Sequence, residues 1–193
     1  NCCANMQVMG VHQDGGMREF ITVPATHVLK VENLSLDAMA LVECLAIGAH
    51  AVRRASVDAG ENVLVIGAGP IGLATMQFAK AAGGNVIALD LNQERLDFCK
   101  NELGVAATIN AGTEDAQAKL AELTNGEFAT VVIDATGHAG SMMGAVEYCA
   151  HSARLVYVGL SKQPITYDHP NIHKRELTIM CSRNATREDF KHV

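Results

Sequence analysis

The stretch ENVLVIGAGPIGLATMQFAKAAGG, beginning at Glu61, constrains this chain more than any other. The run VLVI is apolar and largely β-branched, as a strand covered on both faces must be. Gly67-Ala68-Gly69-Pro70-Ile71-Gly72 follows, and then apolar residues at helical spacing up to Gly83. Pro70 suits the first position of a helix, where a missing N–H costs no hydrogen bond, and Gly83 suits its end. Strand, glycine turn and helix form the context in which G-x-G-x-x-G receives a dinucleotide. The first glycine allows the tight turn. The second lets a pyrophosphate approach the backbone. The third lets helix and strand pack closely. Free N–H groups and the positive end of the helix dipole then face the anion.

The pattern repeats downstream. NVIALD reads as a strand, LNQERLDFCKNELG as a helix with Leu96, Cys99 and Leu103 on one face, and AATIN as a short strand. TEDAQAKLAELTNG reads as a helix capped by Thr113, ATVVIDATG as a strand, and HAGSMMGAVEYCAH as a helix. ARLVYVGL and ELTIMCS are the fifth and sixth strands, and TREDFKHV opens a further helix. Alternating β and α units imply right-handed crossovers and a parallel sheet. Six strands in two halves predict an α/β fold with a doubly wound sheet in the order 3-2-1-4-5-6.

Asp90 ends the second strand, 21 residues after Gly69. An acid there accepts hydrogen bonds from the adenosine ribose and repels a 2′-phosphate, which favours NAD over NADP. Arg95 is read as flanking the adenine. Ligands of open α/β sheets bind beyond the carboxyl ends of the strands. Those ends also include Ala135-Thr136-Gly137, Val158-Gly159-Leu160 and Ser182-Arg183, whose small residues admit the nicotinamide half of a cofactor.

The preceding residues differ. Residues 1–34 hold a Gly-Gly turn and two expected short strands, 20–23 and 28–31, without a core of their own. Residues 35–56 read as one helix, or two bent near Gly48, with Ser35 as N-cap and apolar nearly all round. Such a helix is expected to lie buried between two bodies. Glu43 and His50 are its strongly polar members. They share a face about 10 Å apart, too far to share a metal. A lone carboxylate in this apolar setting needs a cation, a donor or a cleft. Residues 57–193 are the nucleotide-binding domain on this reading.

Composition narrows the function. With 193 residues, the chain holds one domain and a fragment of a second. Lys+Arg 15 against Asp+Glu 21 gives 15 − 21 = −6, which disfavours nucleic acid and anionic membrane as partners. Aromatics are 4% and Trp is absent, so base-stacking platforms are not expected. No apolar run approaches the ~20 residues that span a bilayer. Cysteines at 2, 3, 44, 99, 149 and 181 show no C-x-x-C, and Cys99 and Cys149 fall on apolar faces of expected helices, as reduced thiols of a cytoplasmic protein would. The opening NCCANMQV has no initiator Met and no signal-peptide pattern, and reads as the start of a piece of a longer protein.

The chain resembles the zinc-dependent medium-chain alcohol dehydrogenases, in the polyol branch of sorbitol, threonine and sugar-acid dehydrogenases. The resemblance rests on NCC, GVHQDGGMREFITVP, VECLAIGAHAVRRA, VLVIGAGPIGLA, DLNQER, DATG, LVYVGL and SRNATREDF. HQDGG, AHAVRRA and SRNAT are most similar to the sugar-acid enzymes. It implies a Rossmann domain preceded by a remnant of a GroES-like β domain. It also implies NAD-dependent, zinc-dependent oxidation of a secondary alcohol to a ketone. Glu43 then ligates the catalytic zinc, directly or through water, and Cys3 is the last ligand of a structural zinc. Cys44 stands where this branch usually has Pro. The resemblance carries cofactor roles to Gly67, Gly69, Ile71, Asp90, Arg95, Val158 to Leu160, Ser182 and Arg183. The other zinc ligands precede residue 1 in the family, so this chain alone is expected to bind NAD without turnover. Family members pair through the sixth strand, which implies a homodimer or homotetramer. A zinc-free quinone or enoyl reductase and an NAD(H)-binding module without catalysis remain as alternatives.

Overall fold

A computed structural model describes residues 2–193. The chain divides into two compact units, Asn1–Leu41 and Val42–Val193. Helix α1 (Leu36–Ala55) runs across that division. The second unit then alternates β1 (Asn62–Ile66), α2 (Pro70–Ala81), β2 (Asn85–Asp90), α3 (Gln93–Asn101), β3 (Ala107–Asn110), α4 (Ala116–Leu123), β4 (Ala129–Asp134), α5 (Ala139–Gly144), β5 (Cys149–Tyr157), α6 (His169–Lys174), β6 (Thr178–Cys181) and α7 (Arg187–His192).

The sheet is parallel throughout, in the order β3-β2-β1-β4-β5-β6. This is the doubly wound arrangement expected from the alternation, and its chain reversal falls between β1 and β4. The strands finish in step. One transverse row of paired residues joins Ile109, Leu89, Ile66, Asp134, Tyr157 and Cys181 across the sheet.

Side chains alternate across each strand, so a continuous apolar run supplies two cores. Val63 and Val65 pack with Val86, Ala88, Val131 and Ile133 beneath Val52, Met76, Ala79 and Leu96. Leu64 and Ile66 face the other way, with Ile87, Leu89, Val132 and Leu155 against Leu120, Met142 and Val146.

α1 is one continuous helix rather than two. A Cβ on Gly48 would stand 2.7 Å from the backbone of Ala74 and Thr75, so the glycine serves close helix packing and not a bend. Ser35 caps this helix as expected, its Oγ accepting from the Ala38 N–H at 3.1 Å. Burial is confined to the second half, from Ala46 to Ala55, while Leu36 and Leu41 are 81% and 59% exposed. His50 and Arg53 meet Asp189 of α7. His50 Nδ1 lies 2.8 Å from Asp189 Oδ2, and Arg53 Nε donates to Oδ1 at 2.8 Å. Thr186 adds its N–H and hydroxyl to Oδ2, both at 2.7 Å. Burial alone would raise the Asp189 carboxyl, but the hydrogen bonds from Arg53 and Thr186 hold it well below the usual carboxylate range.

Several local expectations are corrected. The strands expected at 20–23 and 28–31 do not form among the described residues. That segment carries only a Met9–Gln13 bridge and a 3-10 turn at Ala25–His27. An isolated strand has no ladder to satisfy its backbone, and Phe20 and Val28 stay exposed. The helix expected through His151 stops at Gly144, passes through a 3-10 turn at Ala145–Tyr148 and gives way to β5. Cys149 is therefore a strand residue. It is buried, and that burial pushes its thiol up to about 12. The cap of α4 is Asp115, whose Oδ1 accepts from Gln117 and Ala118 N–H at 3.0 Å, and not Thr113. No helix among the described residues is long and apolar enough to cross a membrane.

Candidate functional site

The carboxyl ends of β1, β2 and β4 enclose a cleft of about 430 Å³. Gly67, Asp90 and Thr136 line it, together with Leu91, Ala111 and Tyr148. Its position follows from the strand order, because the connections from β1 and β4 leave in opposite directions.

Each glycine of the turn has a separate reason. Gly67 adopts φ +96°, which a side chain would strain, and its N–H donates to Leu89 O at 2.7 Å. Gly69 is the N-cap of α2, and a Cβ there would meet nothing within 4 Å. That open space above a helix N-terminus is what an approaching anion requires. A Cβ on Gly72 would lie 1.8 Å from Gly67 O, so only glycine lets the helix sit against the turn. Pro70 is the first residue of α2, and Ile71 O accepts from the Thr75 hydroxyl at 2.8 Å.

Asp90 is half-buried at the end of β2. Its Oδ2 accepts from the Ala68 N–H at 2.6 Å and its Oδ1 from the Asn92 N–H at 2.9 Å. The carboxylate thus grips the glycine turn while its remaining lone pairs stay available to a donor in the cleft. Asn92 caps α3 through the Arg95 N–H at 3.1 Å, and the Arg95 side chain is exposed outside the cleft lining.

The other expected positions also lie along this edge of the sheet. Val158 and Gly159 donate their N–H groups to Asp134 O at 2.9 and 3.1 Å. A Cβ on Gly159 would stand 2.2 Å from Gly137 N, so the two strand-end turns touch through bare backbone. Leu160 is 87% exposed. Ser182 is buried, donates its N–H to Tyr157 O at 2.8 Å and leaves its Oγ without a partner. Arg183 is exposed. Val158 to Leu160, Ser182 and Arg183 are not part of the cleft lining.

Glu43 lies on the exposed half of α1. Partial burial, then the adjacent Glu43 carboxylate, raises the Cys44 thiol. Cys3 is exposed in the leading segment. Among the described residues, no three His, Cys, Asp or Glu side chains come together as a metal-binding group.

In and behind the cleft wall are residues the sequence reading passed over. Asp134 is fully buried under the DATG turn. Its Oδ1 accepts from the Thr136 N–H at 2.9 Å and hydroxyl at 2.7 Å, and its Oδ2 from the Ser141 hydroxyl at 2.6 Å. His138 caps α5 by accepting the Ser141 N–H at Nδ1, 3.3 Å away. Tyr148 also lines the cleft, and burial raises its phenol. A usable signal existed for Asp134. NVIALD and ATVVID both end an apolar run on Asp, which places a carboxylate at the end of each strand flanking β1.

The family profile of zinc-binding dehydrogenases matches residues 70–193. L-galactonate-5-dehydrogenase of Escherichia coli K12 is 43% identical over 193 residues, covering 100% of this chain and 56% of that protein. The short chain alcohol dehydrogenase of Escherichia coli CFT073, solved in complex with NADH, superposes with a TM-score of 0.89 at 33% identity, over 97% of this chain and 56% of that one. Galactitol-1-phosphate dehydrogenase from Escherichia coli gives a TM-score of 0.89 at 28% identity, over 98% and 57%. The chain spans about half the length of the curated relatives it matches. A glycine turn at a helix N-terminus, a carboxylate at the end of the second strand and a family match over most of the sheet converge, and the chain belongs to the zinc-binding dehydrogenase family.

Proposed function

We propose that residues 57–193 bind NAD for a zinc-type dehydrogenase that oxidises a secondary alcohol of a polyol or sugar acid to a ketone. One observation carries the cofactor half of this reading. Open space above Gly69 faces a helix N-terminus, while Asp90, gripping the same turn, offers acceptors to a ribose. NAD fits this cradle. Gly67, Gly69, Pro70, Ile71 and Gly72 hold the pyrophosphate, Asp90 the adenosine ribose, and Arg95 flanks the adenine. Thr136, Val158, Gly159, Leu160, Ser182 and Arg183 border the nicotinamide half. When bound, NAD supplies the hydride acceptor. The chain's own part is to orient the dinucleotide across the strand ends and keep its redox-active ring at the rim of the sheet.

Glu43 and Cys3 each contribute one donor to a zinc on this reading. They do not make a metal site by themselves, because no three potential ligands meet among the described residues. No step of the reaction is therefore assigned to zinc through this chain. Residues 1–34 belong to the catalytic domain and residues 35–56 connect it to the nucleotide domain. The matched relatives are nearly twice as long, so this chain alone binds NAD without turnover. We place the enzyme in the cytoplasm as a homodimer or homotetramer paired along β6, where Thr178 and Cys181 are exposed.

Calorimetric titration of the chain with NAD and NADP tests the core of this reading. NAD should bind and NADP should bind more weakly. Preference for NADP, or no heat with either, removes it. A turnover assay of the whole enzyme on a polyol and sugar-acid panel tests the substrate class.

A further inference from the structure

Asp134 is the last residue of β4 and is fully buried. It is paired directly with Ile66, the last residue of β1, and Ile66 is paired in turn with Leu89. Directly paired residues share a face of the sheet, and Ile66 and Leu89 both line the cleft. The Asp134 side chain therefore stands on the cleft side, behind Thr136 and Ser141. The Ala135 N–H donates to Ile66 O at 2.9 Å. This sets the end of β4 one strand, about 5 Å, from the residue before Gly67.

The charge has no counter-ion. Asp134 accepts from the Thr136 N–H at 2.9 Å, the Thr136 hydroxyl at 2.7 Å and the Ser141 hydroxyl at 2.6 Å. Both oxygens only accept, which is the pattern of an ionised carboxylate. These donors are all neutral, and among the described residues no ion pair reaches Asp134. The cleft supplies no cation either. Its lining holds neither Lys nor Arg, and Asp90 adds a second negative charge. His138, its basic side chain, accepts the Ser141 N–H at Nδ1, which only a neutral ring can do. An anion at the glycine turn is thus received by backbone N–H groups and a helix end alone, with a carboxylate on either side of β1.

Resting on the NAD reading, we infer that Asp134 is an affinity-limiting residue, whose buried charge repels the anion held at the glycine turn and penalises every further phosphate on the ligand. Asp90 meets its ligand group by contact. Asp134 acts through space and touches nothing in the cleft. Burial keeps salt from screening its charge as it would at the surface. The bound dinucleotide is thereby kept exchangeable, and nucleotides of higher charge are disfavoured.

Asp134→Asn separates this role from mere support, because the two predict opposite signs. The amide oxygen can still accept from the Thr136 N–H and hydroxyl, and the amide NH₂ can donate to Ser141 Oγ. A residue that only braces the wall loses ligand affinity when replaced. Dissociation constants for NAD and NADP are measured by calorimetry on the chain. D134N should bind NAD roughly three- to tenfold more tightly than the wild type does. NADP, with its added 2′-phosphate, should gain by a larger factor. Asp134→Ser, smaller and also neutral, should show the same gains and carries the test if D134N does not fold. Ser141→Ala keeps the charge and removes one dipole that offsets it, so it should tighten neither ligand. The inference is overturned if the neutral variants bind NAD no better than the wild type, if NADP gains no more than NAD, or if S141A tightens binding as D134N does. If the wild type binds neither dinucleotide, the nucleotide reading itself fails.

Discussion

A side chain at Gly72 would begin 1.8 Å from the carbonyl oxygen of Gly67. The helix that presents its N-terminus to the cleft is thus seated directly on the turn, with no room between them. Gly72→Ala should push α2 off the turn, costing about 1–3 kcal/mol by overpacking and lowering NAD affinity more than tenfold. Urea denaturation and calorimetry on the same variant check both effects. Unchanged affinity with lowered stability would detach the helix seat from ligand binding.

Asp90 holds the Ala68 N–H and stands where a ribose would lie. Asp90→Ser keeps a hydrogen-bonding group but removes the charge. NAD binding should weaken by about tenfold, on the scale of hydrogen bonds to charged groups, while NADP binding improves. The check is the dissociation constant of NADP divided by that of NAD, which should fall through loss of repulsion to the 2′-phosphate.

The Asp189 carboxyl is held well below the usual carboxylate range by Arg53 and Thr186, against the opposing effect of burial. A depressed folded-state pKa stabilises the fold above the unfolded value near ~4, and that stabilisation is lost as pH falls through the folded value. Urea midpoints of the wild type should therefore drop below about pH 4. Asp189→Asn should cost roughly 1–3 kcal/mol at pH 7, by removing the carboxylate that accepts from Arg53 and Thr186, and should flatten the acid limb. Glu61, also lowered because hydrogen bonds from Asp58 and Arg154 outweigh its burial, leaves a residual slope.

The cap of α4 offers a direct comparison. Asp115→Ala removes two accepted N–H bonds and should cost about 1 kcal/mol. Thr113→Ala touches only a 3.4 Å hydroxyl contact to Asn110 O and should cost under ~0.5 kcal/mol. Equal costs measured in urea would reverse the assignment.

The sheet was legible because its information is local. Each strand is a short apolar run, each helix has its own stop, and the order 3-2-1-4-5-6 follows from alternation and handedness. The glycine turn and Asp90 were legible for the same reason, as motif and context sit within thirty residues. What escaped depends on partners distant in sequence. Ser141 and His138 look like loop polars until Asp134 is seen beneath them. His50 looked isolated because Asp189 lies 139 residues away. The strands expected at 20–23 and 28–31 carried suitable residues, but a strand is a property of a pair. Gly48 suggested a bend, and only the backbone of α2 reveals its use.

Because Ile109, Leu89, Ile66, Asp134, Tyr157 and Cys181 stand in one rank, the sheet ends in a level sill. Beyond that sill, loops can lengthen or shorten and change what they recognise while the scaffold below stays undisturbed. One residue added beneath it would instead turn every later side chain of that strand to the opposite core. Divergence within such a chain is therefore channelled to a single rim.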